Sequence, residues 1–316
     1  MSGYHRGELA VQERAGLDRR AAGAQRAIRP DIPEVAADFL ARQPFLVVGG
    51  ADERGRIWAT QLTGEPGFLR VPAPDTLVID ALPLPDDPLA GLLTSAGPDG
   101  VGTREVAPAR IGMIGIEPAT RRRMRMNGRA VRDGNGLRVT LDQAVANCPK
   151  YIQERHHHRI APGEESGQRH TVADGDALSP VQQEALRTAD TFFVATASDR
   201  GDADASHRGG NPGFVQVLTP RLLRWPDYAG NGMFLTLGNL ELNPAAGLLV
   251  PGWATGTSLH VTGSARTVWD AEAVARVPGA ERLVEFEIAA VREVAAASPL
   301  RWSEPVPHRF NPPVAG

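Results

Sequence analysis

Short apolar runs rich in β-branched and aromatic residues, each closed by Gly, Pro, Asp or Asn, recur along the chain. Phe45–Gly49, Phe192–Ala197, Phe214–Leu218, Gly247–Val250 and Ser258–Thr262 are of this kind and are predicted strands. Several short strands at regular spacing predict a barrel or sandwich. Helical spacing of apolar groups appears over 7–27, 32–42 and 179–190. In the last of these Ser179 takes the cap position and Pro180 the first helical position. Residues 142–157 and 271–294 are predicted helices closing each half. Each half thus reads as a helix followed by a five- or six-stranded barrel.

The halves are related. Residues 54–71 (RGRIWATQLTGEPGFLRV) align without a gap on 200–217 (RGDADASHRGGNPGFVQV). The shared positions include Gly55/Gly201, Gly64/Gly210, Pro66/Pro212, Gly67/Gly213 and Phe68/Phe214. Further on, 111–130 aligns on 246–265 through Gly112/Gly247, Ala119/Ala254, Thr120/Thr255, Gly128/Gly263 and Ala130/Ala265. Two anchors in the same order predict two copies of one β-rich domain. The division is a helical segment at 1–30, copy one at 31–158, a polar linker at 159–178 and copy two at 179–316.

Composition sharpens this picture. The chain has 316 residues, 42% hydrophobic and 22% charged, enough for a packed core. A net charge of −3 gives no global field for nucleic acid or an anionic membrane. No run of about 18 apolar residues spans a bilayer, and the arginine-bearing N-terminus lacks an apolar signal core; the expectation is a cytoplasmic protein. The one cysteine, Cys148, excludes an intrachain disulfide and a multi-cysteine metal site. Of 34 basic residues only Lys150 is lysine, so a phosphate must be held mainly by arginine, hydroxyls or backbone N–H groups.

The copies differ where chemistry would sit. In copy two Asp227-Tyr228-Ala229-Gly230-Asn231-Gly232 leaves a strand and enters a predicted short helical turn, Met233–Asn239. Glycines permit converging N–H groups, and a helix start favours an anion. Asn231, Thr236 and Asn239 add uncharged donors. Copy one has prolines and acids there, which predicts a degenerate site. The second segment is Ser206-His207-Arg208-Gly209-Gly210-Asn211, where Arg208 stands opposite Leu62 of copy one. An arginine whose twin is leucine predicts an anionic partner, either a ligand or a neighbouring Asp202 or Asp204.

Other motifs are weaker. His156-His157-His158 on a helix would point about 100° apart and reads as a solvated helix end, not a metal site. Cys148 reads as a buried inert thiol, and the Arg121–Arg125 run as a solvated face. Trp225 and Trp253 read as packing residues. No GxGxxG or Walker loop stands at a strand–helix junction.

The SHRGGNPGF and PDYAGNGMF–TLGNL segments resemble the flavin-nucleotide-binding relatives of pyridoxamine 5′-phosphate oxidase. The likeness is specific over 192–265 and looser in RRMRMNGRA and NCPKYIQER of copy one. It implies a mainly β fold with flanking helices (α+β): two tandem split β-barrels forming a pseudo-dimer, with FMN across their interface. On that resemblance Arg208, Asn231, Thr236 and Asn239 lie near phosphate and ribityl. Ser206, His207, Gly209 and Gly210 line the isoalloxazine, with Asn211, Tyr228, Gly232 and Met233 in the same two segments. Lys150 and Tyr151 reach across from copy one. The family's oxidases carry a Ser-Arg-Lys motif where this chain has Asn-Gly-Met, which argues against pyridoxamine phosphate oxidation itself. The implied function is an FMN-dependent oxidoreductase acting on a small molecule, with NAD(P)H, O2 or a reductase as redox partner and His207 as the one acid–base candidate. The alternatives are an F420-dependent reductase, or a flavin or haem carrier or sensor, with His207 or His260 as the axial ligand. The chain is expected as a monomeric pseudo-dimer or a homodimer.

Overall fold

Two sheets of matching strand order form the computed structural model, which describes residues 3–95, 107–161 and 169–314. Helices α1 (Arg6–Ala15), α2 (Asp18–Gln25) and α3 (Glu34–Ala41) precede β1 (Phe45–Ala51), β2 (Ile57–Thr63), β3 (Leu69–Ala73) and β4 (Thr76–Ile79). After α4 (Ala90–Ser95) come β5 (Ala109–Glu117), β6 (Arg122–Asp133) and β7 (Gly136–Asn147), then short strands β8 (His157–Arg159) and β9 (Thr171–Gly175). The second repeat has α5 (Pro180–Thr188), β10 (Thr191–Ala197), β11 (Ala203–Gly209), β12 (Gln216–Thr219) and β13 (Leu222–Tyr228). It ends with α6 (Leu235–Leu242), β14 (Ala245–Pro251), β15 (Ser258–Val268), α7 (Ala271–Ala275), β16 (Ala280–Ala295) and β17 (Leu300–Trp302).

The first sheet runs β2-β1-β5-β6-β7-β4-β3 and the second β11-β10-β14-β15-β16-β13-β12. Every strand of the first has its counterpart nine places later in the second, all in antiparallel pairs. The duplication read from the glycine anchors is therefore also a duplication of topology. Each sheet curls round its own core. Leu46, Trp58, Leu77, Met113 and Val139 fill the first, and Phe192, Phe214, Trp225, Val261 and Phe286 the second.

Three expectations are corrected here. Each barrel has seven strands on its path, not five or six. Residues 142–157 are strand to Asn147 and then irregular up to β8, and 271–294 are mainly strand, with β16 beginning at Ala280 after the short α7. Their backbone groups are taken by sheet partners, β6 and a bridge to Arg29 for the end of β7, β13 and β15 for β16, and that pairing overrides helix propensity. His157 and His158 lie in β8, paired with β17, rather than on a helix end. The 7–27 helix is broken in two at Gly16, which closes α1 in the left-handed region. The 179–190 helix is present as α5, with Ser179 and Gln182 forming a capping box and Pro180 at its start. Part of the 159–178 stretch is β9, which adds to β16.

A third apolar cluster joins the barrels. Phe45, Val47, Ile57, Ile114 and Ile116 of the first repeat pack against Phe193, Ala195, Ala205 and Leu249 of the second. The backbones come very close. A Cβ on Gly112 would lie 2.4 Å from the Asp204 Cα, and one on Gly247 would lie 2.5 Å from the Trp58 Cα. The equivalent glycines of the two copies thus admit each other's second strand, as a pseudo-twofold requires. Among the described residues no helix is long and apolar enough to cross a membrane.

Candidate functional site

A cleft of about 120 Å3, open to solvent, lies between the barrels. The second repeat supplies Ser206–Gly209 of β11, Pro226–Tyr228 of β13 and the loop into α6. The first supplies Ile114 of β5, Arg123 and Arg125 of β6, and Cys148, Lys150 and Tyr151.

The loop into α6 is fastened from outside. Arg20 donates to the Gly230 carbonyl at 2.7 Å and Gln12 to the Met233 carbonyl at 3.2 Å. The Asn231 carboxamide oxygen accepts from the Met233 N–H at 3.0 Å. Beneath it the Arg282 guanidinium stacks on Phe234 and pairs with Asp227 at 2.9 Å. Gly232 and Phe234 both have left-handed backbones (φ 80° and 57°), so the chain turns sharply into the helix. Tyr151, another non-glycine residue with positive φ (67°), crosses from the first repeat. Its hydroxyl donates to the Ala229 carbonyl at 3.2 Å, and its ring lies 5.1 Å from that of Tyr228. A Cβ on Gly209 would stand 2.0 Å from the Tyr151 carbonyl oxygen, so only glycine admits this crossing. Burial, with Tyr151 beside it, pushes the Tyr228 phenol up to about 12.

Charge is concentrated on the strands. Arg125 forks onto Asp204 in a pair whose side chains are 9% and 2% exposed, and the Thr236 hydroxyl donates to the same carboxylate at 3.2 Å. Arg208 donates to the Ser206 hydroxyl oxygen at 2.6 Å and to the His207 carbonyl at 3.1 Å. Arg123 donates to His207 Nδ1 at 2.9 Å. A guanidinium has no acceptor, so Nδ1 accepts and the imidazole proton sits on Nε2. Burial, then Arg123 and Arg208, hold the His207 pKa well below its usual value. Burial, then Arg125 and Arg208, push Arg123 down to about 9. Burial lowers Arg208 as well, against the pull of Asp227.

Of the residues expected from sequence, Ser206, His207, Arg208, Gly209, Tyr228, Asn231, Gly232, Thr236, Lys150 and Tyr151 line this one cleft. Four others lie beside it. Gly210 and Asn211 are tied to Asp190, Gln153 and the C-terminal tail. Met233 packs with Ile28 and Val145. Asn239 is held by Thr196 and by His5 of the N-terminal segment. Two readings are corrected. The Arg121–Arg125 run is not a solvated face: alternate residues turn inward, Arg125 into its buried pair and Arg123 onto His207. Strand alternation was the signal for this. Cys148 is exposed at the cleft rather than buried. Trp225 and Trp253 sit in the second core and beside Phe45 at the barrel junction.

The equivalent place in the first repeat is filled. Asp87 enters it, accepting from the Thr60 hydroxyl and standing 4.0 Å from His260 Nε2. Leu89 and Leu93 are fully buried behind it. His260 is itself buried, its Nδ1 bonded to the Ala59 carbonyl at 2.8 Å, and it does not line the open cleft.

Comparison with known proteins adds a family match. Residues 178–302 match the family model described as pyridoxamine 5′-phosphate oxidase. No curated protein matches the chain in sequence. Among solved structures it is similar to a putative pyridoxamine 5′-phosphate oxidase from Lactobacillus delbrueckii. The identity is 17%, over 37% of this chain and 94% of that one, with a TM-score of 0.32. A pyridoxamine 5′-phosphate oxidase-related, FMN-binding protein from Nostoc punctiforme is 13% identical over 42% and 99%, with a TM-score of 0.30. An FAD-binding protein from Mycobacterium smegmatis is 15% identical over 38% and 99%, with a TM-score of 0.27.

Proposed function

We propose, from the match of residues 178–302 to the pyridoxamine 5′-phosphate oxidase family model, that the chain is an FMN-dependent oxidoreductase holding one FMN in the cleft between its barrels. The observation that carries this reading is the pairing of Arg208, which among the described residues forms no ion pair, with a glycine-bearing turn at a helix start. A flavin nucleotide brings a phosphate dianion and a flat ring, and the cleft offers a match to each. Arg208, the backbone donors of Gly230–Gly232 and the start of α6 suit the phosphate. Ser206, Gly209 and the Tyr151–Tyr228 wall suit the ring system.

FMN, when bound, supplies hydride or electron transfer. The chain's own residues position and insulate. Asp204 fixes Arg125 and Thr236 at the floor. Tyr151 closes the side of the cleft and ties the first repeat to the loop of the second. We assign His207 the role of a neutral N–H donor rather than a proton carrier: its Nδ1 is occupied by Arg123, and burial with two guanidiniums disfavours the imidazolium. The filled first-repeat site accounts for one FMN per chain rather than two. The redox partner, NAD(P)H, O2 or a reductase, would reach the flavin from the open side of the cleft.

The test is the visible spectrum of the purified chain, with mass identification of any released cofactor and titration with FMN. One FMN per chain is expected. Arg208→Leu, which installs the residue of the first repeat, removes a charge-assisted contact and should weaken FMN by about 10–100-fold. A folded wild-type chain that neither carries nor takes up FMN overturns the proposal, and two FMN per chain overturns its single-site form.

A further inference from the structure

Buried arginines near the barrel junction follow a rule. Arg125 pairs with Asp204, Arg155 with Asp190 and Arg282 with Asp227. Arg123 and Arg208, half-buried at the cleft, do not follow it. Among the described residues neither forms an ion pair, and both line the cleft. Arg208 feels the charges of Asp227 and Asp204, whereas Arg123, beside Arg125 and Arg208, is short of negative charge, and such a site calls for it from outside. The two come from opposite barrels: Arg208 stands on β11, the strand of the flavin-type motif, and Arg123 on β6 of the first repeat.

A flavin phosphate answers for Arg208. It leaves Arg123, whose side-chain hydrogen-bond partner among the described residues is a neutral imidazole. Its Nε and the His207 Nε2 are both buried without an acceptor, and the two side chains are bonded to each other. One surplus positive charge and an unsatisfied guanidinium N–H match a monoanion such as a carboxylate. Lys150, at the rim and 5.7 Å from the Phe310 ring, adds positive charge at the entrance.

We propose that Arg123, reaching in from the degenerate repeat, anchors a substrate bearing a carboxylate. This rests on the flavin reading and gives the first repeat a task after the loss of its own site: it supplies the substrate anchor. Arg123 is then a specificity-determining residue, and the substrate is an aromatic or otherwise flat carboxylate that fits beside the Tyr151–Tyr228 wall.

The probes are benzoate and its neutral counterpart benzamide, titrated into the FMN-loaded chain while the flavin absorption bands are followed. Benzoate should shift the bands and bind about tenfold or more tightly than benzamide. Arg123→Gln should retain FMN and lose the preference for benzoate, whereas Arg123→Lys should keep part of it. Equal binding of the two probes, or a preference that survives in Arg123→Gln, overturns the proposal. Circular dichroism checks the fold of each variant. Should Arg123→Gln fail to fold, the wild-type preference and its size in Arg123→Lys decide. Should the wild type take no FMN, the flavin reading fails by itself, and calorimetry of the same probes on the flavin-free chain tests the anchor separately. A benzoate preference lost in Arg123→Gln then supports it, and no preference overturns it.

Discussion

Two ion pairs cross the same junction between the barrels, and they should behave oppositely. Arg125–Asp204 is buried, with side chains 9% and 2% exposed, and Asp204 also accepts from Thr236. Arg110 of β5 pairs with Asp202, just before β11, and those side chains are 51% and 57% exposed. Asp204→Asn leaves the Arg125 charge buried beside Arg123 and Arg208, at a cost of about 3–5 kcal/mol. Asp202→Asn releases an exposed charge into water, at a cost of about 0–1 kcal/mol. At roughly 2–4 °C per kcal/mol, Asp204→Asn should lower Tm by about 6–20 °C and Asp202→Asn by no more than about 4 °C. Scanning calorimetry at low and high salt measures both. Salt should erase the Asp202 effect and spare the Asp204 effect, because buried pairs are little screened. Replacing both partners, Arg125→Met with Asp204→Leu, should recover much of the loss, since no uncompensated charge remains. Equal Tm shifts for the two single variants, or a loss under about 1 kcal/mol for Asp204→Asn, would refute the claim that the junction is organised by its buried charge.

Glu8 of α1 is buried against α6, and burial, with the Asp204 charge adding, pushes its carboxyl up to about 8 from 4.5. The folded chain therefore binds more protons at this group than the unfolded chain between those values, so its contribution to stability declines as pH rises from 4.5 through 8 and then levels. Glu8→Gln should match the wild type near pH 5 and exceed its Tm increasingly toward pH 8; a constant difference across that range would contradict the assignment. Gly112→Ala and Gly247→Ala should each push the barrels apart and cost about 1–3 kcal/mol or more, read as a fall in Tm, whereas Gly134→Ala, with nothing within 4 Å of the added carbon, strains only the local turn. A smaller Tm loss in either junction variant than in Gly134→Ala would deny the close approach.

Much of the site was legible because the duplication supplied its own control. Comparing Leu62 with Arg208, or the proline-rich insert with the Gly230–Gly232 turn, isolates chemistry from scaffold without any other sequence. What stayed hidden came from elsewhere in the chain. Arg123 acts on the other repeat's His207, across 84 positions of sequence. Asn239 is taken by His5, 234 positions away. Local pattern carries no trace of either contact. The filling of the first-repeat site by Asp87 and Leu89 was legible only as a loop rich in prolines and acids.

The misread helices have a local cause. In β7 the pairing jumps from Gly128–Leu141 to Asn127–Gln143, so Asp142 is an extra residue. In β16 it jumps from Gly263–Ile288 to Thr262–Ala290, so Ala289 is the extra one. Each bulge breaks the twofold alternation and places buried residues three apart: Leu141 and Ala144 in one strand, Ile288 and Val291 in the other. That spacing, with Ala- and Glu-rich surroundings, imitates an amphipathic helix. The bulges recur at equivalent positions, opposite the matched Gly128 and Gly263, so they belong to the barrel's curvature rather than to chance. This gives the explanation a direct test. Asp142 makes one exposed pair with Arg129, so Asp142→Ala should cost less than about 1 kcal/mol. Deleting Asp142 instead keeps the pairs on either side but removes the bulge and the bend it gives β7, just before the segment that carries Lys150 and Tyr151 into the cleft. The deletion should lower Tm far more than the substitution and abolish FMN uptake. A deletion variant as stable as Asp142→Ala would mean that β7 does not need its bulge and that the helix-like spacing has another origin.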